Sequence, residues 1–408
     1  MKIVKIKLHW QILIALVLAV LFGYYIPHGV KYVSWVGDIF LRALKMIIIP
    51  LVFSSIISGV SSIGGGKNLG RLGIKTLFYY LSTSTLAIVT GLAVVNLVKP
   101  GVGVDLGFSK SVEGLEEHAG SVRDIFYRLI PDNVIDVMAR GEILPVIFFA
   151  ILFGYFITQV GKKYKESLST FFDAMFEVMM KLTMFIIRFT PLGIFGIVSA
   201  EVARNSEDLA SVAGSLAIYS LCVVSALLFH AFVTLPVIVR VVGKAHPFRH
   251  LKNMATPLLT AFSTSSSSAT LPLTMDALEH NSGVSNKVTS FTLPLGATIN
   301  MDGTALYECV AAMFIAQAYG VDLTFGQQIL VVIAALLASI GAAGIPMAGL
   351  VMITVVLSAV GLPLEGIGLI LAVDRILDML RTSVNVWSDS CGAVTIARSE
   401  NEETSVAV

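Results

Sequence analysis

Residues 374–389 combine carboxylates, an arginine and an amide near the end of an otherwise apolar chain, and read DRILDMLRTSVNVWSD. On a helix, at about 100° per residue, the polar members of this segment fall within an arc of roughly 100°. A guanidinium group binds a carboxylate through two parallel hydrogen bonds, and a carboxylate three residues earlier on the same face would meet an ammonium group. The pattern predicts a binding site lined by Asp374, Asp378, Arg381, Thr382, Asn385 and Asp389.

The composition places this helix in a membrane protein. Of the 408 residues, 56% are hydrophobic and only 13% are charged, which exceeds the apolar content of an ordinary soluble domain. Apolar runs of at least about 18 residues recur, and each is long enough to cross a bilayer core. Because charges in a membrane are costly and usually face a protein interior or a cavity, the polar arc is interpreted as a site. The alternative is the solvated face of a cytoplasmic amphipathic tail.

Net charge and cysteine spacing exclude other classes. The net charge of +1 provides no basic field for nucleic acid. Cys222, Cys309 and Cys391 are far apart and form no CxxC pair, which argues against a metal centre or a disulfide framework.

Eight long apolar segments and two shorter interrupted ones organise the chain. Lys2, Lys5 and Lys7 precede the first segment, so the positive-inside rule predicts a cytoplasmic N-terminus. An even number of crossings returns the C-terminus to the same side. The long segments are predicted at about residues 8–25, 35–62, 72–98, 131–160, 168–202, 213–242 and 288–318, and around residues 374–389.

The two interrupted segments, 258–278 and 329–360, carry matching breaks. Residues 265–272 read SSSSATLP and residues 339–346 read SIGAAGIP, so each break opens with serine and closes with an aliphatic residue and proline. A small-residue turn followed by proline interrupts a helix, which predicts two re-entrant hairpins. Paired interrupted segments are typical of a transporter's substrate site. Two kinked ordinary helices with small-residue packing faces are the alternative.

Residues 300–304, NMDGT, interrupt the apolar segment 288–318. An amide, a carboxylate and a glycine in mid-helix are expected to unwind it and expose carbonyl groups, as in broken membrane helices that hold Na⁺. Hard oxygen donors suit an alkali or alkaline-earth ion better than zinc or copper. A structural aspartate bonded to a neighbouring helix is the alternative.

Together, the serine run with Thr270-Leu271-Pro272, the NMDGT motif and the polar helix resemble one family, the sodium-coupled dicarboxylate and amino-acid symporters. This family includes the excitatory amino-acid transporters of animals and archaeal aspartate transporters, and the similarity covers nearly the whole chain. An archaeal member is an established example of an inverted-repeat transporter.

The resemblance implies an all-α polytopic membrane protein with eight transmembrane helices and two opposed re-entrant helical hairpins, built as inverted repeats. Helices 1, 2, 4 and 5 of residues 1–245 would form the scaffold and trimer interface, and helices 3 and 6 would join the transport core. Residues 246–400 would supply the rest of that core, namely hairpin 1, helix 7, hairpin 2 and helix 8, and 401–408 a cytoplasmic tail. A homotrimer in the cell membrane is expected, with both termini cytoplasmic.

The family motifs also imply roles for individual residues. Arg381 would hold the substrate side-chain carboxylate, Asp378 its amino group, and further contacts would come from Ser266, Ser267, Thr304, Ile345, Gly349, Thr382 and Asn385. Three Na⁺ sites are implied: the first at Gly296, Asn300, Asn385 and Asp389, the second at Tyr80, Thr83, Ser84, Asn300 and Asp302, and the third, built from carbonyl groups, at Thr298, Ser339, Ile340 and Ala342.

The sequence departs from the family in two places. Archaeal members have an arginine where this chain has Ser265, and animal members have one where it has Met379; Arg375, one turn earlier, is expected to supply the charge. A small or aliphatic residue and a glycine usually precede the last aspartate, where this chain has Trp387 and Ser388.

The leading hypothesis is a non-enzymatic, Na⁺-driven symporter for L-aspartate and L-glutamate, since such an amino acid offers both a side-chain carboxylate and an ammonium group. Proton coupling is an open alternative. A C4-dicarboxylate symporter is disfavoured because Asp378 would repel the ligand, and a neutral amino-acid carrier because Arg381 would stay unpaired. An intramembrane hydrolase is disfavoured because the sequence has no G-x-S-x-G motif, and His230 is expected to be a satisfied core histidine. A channel would be distinguished by the absence of uphill accumulation.

Overall fold

The computed structural model describes residues 8–62, 67–103, 130–204, 209–341 and 348–407. These residues are predominantly helical, and the described ranges contain no β-strand, only an isolated bridge between Ala245 and Ala407. The helices are α1 (Leu8–Tyr25), α2 (Ser34–Ser62), α3 (Lys67–Val98), α4 (Val134–Arg140), α5 (Ile143–Ile157), α6 (Lys162–Ile187), α7 (Thr190–Arg204), α8 (Leu209–Phe229), α9 (Leu235–Val241), α10 (Pro247–Asn253), α11 (Ala255–Thr264), α12 (Ser267–Asp276), α13 (Asn286–Ile299), α14 (Asp302–Ala318), α15 (Phe325–Gly341), α16 (Ala348–Ala359) and α17 (Ile367–Ser399).

Three stretches in the described ranges are long and apolar enough to cross a membrane alone: Ser34–Ser61, Arg71–Val98 and Ala213–Val241. The helices α6 and α7 form a further span only if taken together, because they are bent by 52°. The predicted continuous segment 168–202 is therefore wrong in detail. Pro191, in the first turn of α7, lacks an N–H group and its ring clashes with the preceding turn, so the helix cannot continue straight. The polytopic helical class is confirmed, and the exact count of eight crossings stays a prediction.

The segment predicted at residues 131–160 is also divided, and its two prolines, Pro131 and Pro145, predict the breaks; Pro145, however, does not break the helix. The break falls at Gly141, whose φ of 76° lies in the left-handed region that favours glycine. Pro145 lies in the first turn of α5, where a backbone N–H has no helical partner and its absence costs little.

Both predicted interruptions that the structure describes are present. The helix before the serine run ends at Thr264, and Ser265, with a φ of 52°, caps it before α12 begins at Ser267. The break lies at the serines, whereas Pro272 is inside α12. In the second case, α13 ends at Ile299 and α14 begins at Asp302, so Asn300 and Met301 are unwound as predicted.

The helices pack in two groups. One consists of α1, α2, α5, α6 and α7, and the other of α3, α8 and α11–α17, with α17 contacting α11, α12, α13 and α14. The two groups meet where α2 packs on α15 and α16. Helix α14 is buried along nearly its whole length, which places its polar residues inside the second group and next to α17.

Candidate substrate and cation site

Arg381 is the centre of the polar face on α17, and its side chain is 1% exposed. Its Nη2 donates to Oδ1 of Asp374 and to Oδ1 of Asp378, each at 3.0 Å. Arg375 lies on the rim of this cluster, with its Nη1 3.4 Å from Oδ2 of Asp378. A second guanidinium group therefore lies beside Asp378.

The rest of the Arg381 guanidinium is open. Its Nε and Nη1 have no hydrogen-bond partner among the described residues. Its Cζ lies 3.7 Å from the centre of the Tyr307 ring, which fixes the plane of the fork by a cation–π contact. A Cβ built on Gly349 would come within 2.6 Å of Nη1, so the beginning of α16 lies directly against this nitrogen. A buried cation with unused donors can bind an anion.

Asn385 connects the polar face of α17 to the unwound part of the chain before α14. Its Oδ1 accepts from the backbone N–H groups of Gly303 (2.8 Å) and Thr304 (3.4 Å), and its Nδ2 donates to Oγ1 of Thr304 (3.1 Å). A Cβ on Gly303 would lie 2.5 Å from the carbonyl oxygen of Arg381, so only glycine permits this approach of the two backbones. Asn385 therefore binds Thr304 through both its amide oxygen and its amide nitrogen.

A first group of oxygen atoms converges on Asp302 at the start of α14. Its Oδ1 accepts from Oγ of Ser84 (2.6 Å) and Oγ1 of Thr83 (3.3 Å), both on α3. The same Thr83 hydroxyl is 3.4 Å from Oδ1 of Asn300. Four residues of the second predicted Na⁺ site thus lie together in the protein interior, namely Thr83, Ser84, Asn300 and Asp302. Neutral oxygens around one carboxylate suit a small hard cation.

A second group surrounds Asp389. Its Oδ1 accepts from Nδ2 of Asn300 at 2.8 Å. A Cβ on Gly296 would lie 2.5 Å from the same oxygen and 2.7 Å from the hydroxyl oxygen of Tyr80. The Tyr80 hydroxyl donates to the carbonyl of Thr292 at 2.8 Å and lies close to Asp389 and Gly296.

The remaining predicted residues make hydrogen bonds mainly within their own helices. Thr298 donates to the carbonyl of Leu295 (3.0 Å) and Ser339 to that of Leu336 (2.8 Å), so both hydroxyls bond within their own helices, and Ile340 lies near the end of α15. Ser266 accepts the N–H of Ala269 (3.2 Å) and caps α12, Ser267 begins that helix, and Thr382 is buried on α17. Ile345 and Ala342 lie outside the described residues.

Two buried residues gain importance only in the structure. Glu308 on α14 is fully buried, and neither of its carboxyl oxygens has a hydrogen-bond partner among the described residues. The sequence could have pointed to Glu308, because it is a lone acidic residue in the apolar run 305–316. His230 contacts Asp302, with Nε2 3.0 Å from Oδ2. The sequence could not show this pair, because its members are 72 residues apart.

Comparisons with known proteins show the family of this chain. The model of the sodium:dicarboxylate symporter family matches residues 8–399. The chain is 36% identical to a proton/glutamate-aspartate symporter of Escherichia coli (strain K12), over 98% of this chain and 95% of that protein. It is also 36% identical to a proton/sodium-glutamate symport protein of Geobacillus stearothermophilus, over 98% and 96% of the two chains. An excitatory amino acid transporter of Caenorhabditis elegans is 38% identical, over 90% of this chain and 81% of that protein.

Proposed function

Because the chain belongs to the sodium:dicarboxylate symporter family, whose members are membrane transporters and not enzymes, we propose that it carries L-aspartate and L-glutamate into the cell, driven by the Na⁺ gradient. This proposal rests on the buried guanidinium of Arg381, which binds Asp378 but keeps nitrogens without a hydrogen-bond partner among the described residues. Nη1 of Arg381 would bind the substrate side-chain carboxylate, and Asp378 would bind the ammonium group.

The same geometry argues against other substrates. A C4-dicarboxylate has no ammonium group, so its second carboxylate would face Asp378 and be repelled. A neutral amino acid would leave the open nitrogens of Arg381 buried without an anion, which is costly.

Sodium coupling is supported by the two groups of oxygen atoms around Asp302 and Asp389. Asn300 contacts both groups, with its Oδ1 towards Thr83 and its Nδ2 on Asp389. Asn385, bonded to Thr304 on the substrate side, lies on the same helix as Asp389. The proposed ions and substrate are thus held by the same short unwound segment, residues 300–304, which gives a physical route by which cation binding improves substrate binding.

Proton coupling is a second candidate, favoured by Glu308. An ionised carboxylate at this fully buried and unpartnered position would be costly, and protonation removes that cost. Glu308 follows Tyr307, whose ring packs on Arg381, so it is close enough to respond to the binding of an anion there. Relatives of this chain are named for the proton alone and for the proton with sodium.

One experiment separates these two candidates. Purified protein in proteoliposomes is given radiolabelled aspartate, with Na⁺ and proton gradients imposed separately and the membrane potential clamped. Uphill uptake with only the Na⁺ gradient supports the proposal. Uptake with only the pH gradient supports the Glu308 candidate, and equilibration without accumulation under either gradient would indicate a channel.

The packing of the helices in two groups supports an elevator-like alternating-access mechanism, in which one group moves relative to the other. The group of α1, α2 and α5–α7 would be the fixed scaffold, whereas α3, α8 and α11–α17, which hold all the binding residues, would move together. The protein would lie in the cell membrane with both termini on the cytoplasmic side.

One face of α6 carries exposed apolar side chains every seven residues, at Tyr164, Phe171, Val178 and Phe185. We propose that this scaffold face forms the contacts of a homotrimer. Crosslinking between cysteines at position 178 would test that contact.

A further inference from the structure

His230 is completely buried, and it contacts one of the proposed cation ligands. Its Nε2 lies 3.0 Å from Oδ2 of Asp302, and its Nδ1 has no hydrogen-bond partner among the described residues. A neutral imidazole has one donor and one acceptor nitrogen, and a carboxylate oxygen only accepts. The hydrogen therefore resides on Nε2, and His230 donates to Asp302.

The two oxygens of Asp302 have different surroundings. Oδ2 accepts from His230 and, at 2.6 Å, from Oγ of Ser388, whereas Oδ1 faces the hydroxyls of Ser84 and Thr83. Ser388 also accepts from Nδ2 of Asn300 at 3.0 Å. Two donors on Oδ2 fix the rotation of the carboxylate, so that Oδ1 stays directed at the oxygen group that would bind the cation.

The position of His230 is itself held by the fold. It begins a π-helical turn, His230–Thr234, between α8 and α9. Such turns are rare and are frequent at functional sites, because the wider turn displaces backbone groups from the regular ladder. The indole Nε1 of Trp387 donates to the carbonyl of Ala231 at 2.9 Å and so ties this turn to α17. Trp387 and Ser388 are the positions at which this chain departs from the family pattern. Ser388 acts on the Asp302 carboxylate directly, and Trp387 acts on it through the π-helical turn.

We propose that His230, on the π-helical turn held by Trp387, is a positioning residue of the cation site at Thr83, Ser84, Asn300 and Asp302, and that Ser388 shares this role. The inference rests on the proposed sodium-coupled function. Loss of a group that orients a metal ligand typically weakens metal binding ~10–100-fold. The Na⁺ concentration that half-saturates the site should rise by that factor, whereas aspartate affinity at saturating Na⁺ should stay close to that of the wild type.

The test compares His230→Leu, which removes the donor, with His230→Gln, which keeps an N–H at a similar reach. Na⁺-induced thermal stabilisation without aspartate gives the half-saturating concentration, and calorimetry at saturating Na⁺ gives the aspartate affinity. We expect His230→Leu to shift the Na⁺ curve and His230→Gln to restore most of it. A general packing defect would lower stability in both variants without this rescue.

Ser388→Ala and Ser390→Ala supply a second arm that leaves His230 intact. Both serines are fully buried on α17, but the Ser390 hydroxyl donates to the carbonyl of Trp387 in its own helix. Ser388→Ala should shift the Na⁺ curve and Ser390→Ala should not. If the wild type responds to Na⁺ and neither His230→Leu nor Ser388→Ala changes the half-saturating concentration, the positioning role is wrong while the sodium proposal survives. A wild type whose stability and aspartate binding ignore Na⁺ overturns both.

Discussion

Asp374 and Arg381, seven residues apart on α17, are joined by a 3.0 Å hydrogen bond at a position where both side chains are 1% exposed. Two helical turns separate them, so the arginine side chain extends back along its own helix towards the N-terminal end. Nη2 is consequently committed to protein carboxylates, and Nη1 lies at the beginning of α16, next to Gly349. The unused Nη1 of Arg381 therefore faces α16.

Arg381→Cys should abolish binding of acidic amino acids, because it removes the proposed anion site. A hydrogen bond to a charged group contributes about 1.5–3 kcal/mol, and Asp374 and Asp378 would repel the anion once Arg381 is gone, so binding should weaken by more than roughly 100-fold. Small neutral amino acids should bind in their place, since the repulsive element against them is gone. Calorimetric titration with aspartate and with alanine checks this, and wild-type affinity for aspartate would remove Arg381 from the site.

Asp378→Asn should weaken aspartate roughly 10–100-fold while weakening succinate little or not at all, because it removes an ammonium partner and leaves the guanidinium in place. Asp374→Asn is the matched control, since Asp374 binds the same Nη2 at the same distance but is assigned no contact with the substrate. The control should affect both ligands equally. Equal losses for the two ligands in Asp378→Asn would mean that Asp378 only supports Arg381.

Gly349→Ala should impair substrate binding by steric collision, because the new Cβ would lie 2.6 Å from Nη1 of Arg381. Overpacking of this kind costs about 1–3 kcal/mol. Gly214→Ala on α8 is the control, as a Cβ there meets no atom within 4 Å. Aspartate affinity measured for both variants decides the matter, and an unaffected Gly349→Ala would show that this approach relaxes when substrate binds.

Asp302→Asn and Asp389→Asn should each flatten the dependence of aspartate affinity on Na⁺, because each removes the charged ligand of one oxygen group. Affinity is measured at several Na⁺ concentrations at fixed pH, with choline holding the ionic strength constant. Asp276→Asn, an exposed carboxylate on α12, should leave the dependence unchanged.

Glu308→Gln tests proton coupling. If the proton is the coupled ion, this substitution should abolish uptake driven by a pH gradient. If Na⁺ is the coupled ion, Na⁺-driven uptake should stay intact.

Glu400, which follows α17 outside the membrane-spanning segments, should make stability depend on pH. Lys75 and Arg71 on α3 hydrogen-bond its carboxylate and hold its pKa below the usual 4.5. A lowered folded-state pKa stabilises the protein fully above 4.5, and this contribution is lost as the pH falls below that value.

Glu400→Gln should therefore lower thermal stability at neutral pH by about 0.2–1 kcal/mol, and the difference from the wild type should close in acid. Glu403→Gln is the control, since its carboxylate is exposed. A difference that persists unchanged below pH 4 would assign the effect to packing rather than to charge.

Local patterns in the sequence determined the class, the elements and the polar face of α17. Long apolar runs require helices in a membrane, and the 100° periodicity places Asp378, Arg381 and Asn385 on one side whatever surrounds them. The unwound residues Asn300 and Met301 followed from the residue types of NMDGT. The bend at Pro191 could have been predicted from the proline itself, although the long apolar run 168–202 favoured one continuous helix.

Only the tertiary structure decided which polar groups share a location. The donors to Asp302 come from α3, from the π-helical turn and from α17, and no periodicity within one segment relates Ser84, His230 and Ser388. The same holds for Tyr80, which lies with Asp389 because α3 and α17 pack against each other. Hydrogen bonds act over about 3 Å, whereas the chain separations here exceed 70 residues, so helix packing alone determines these partners.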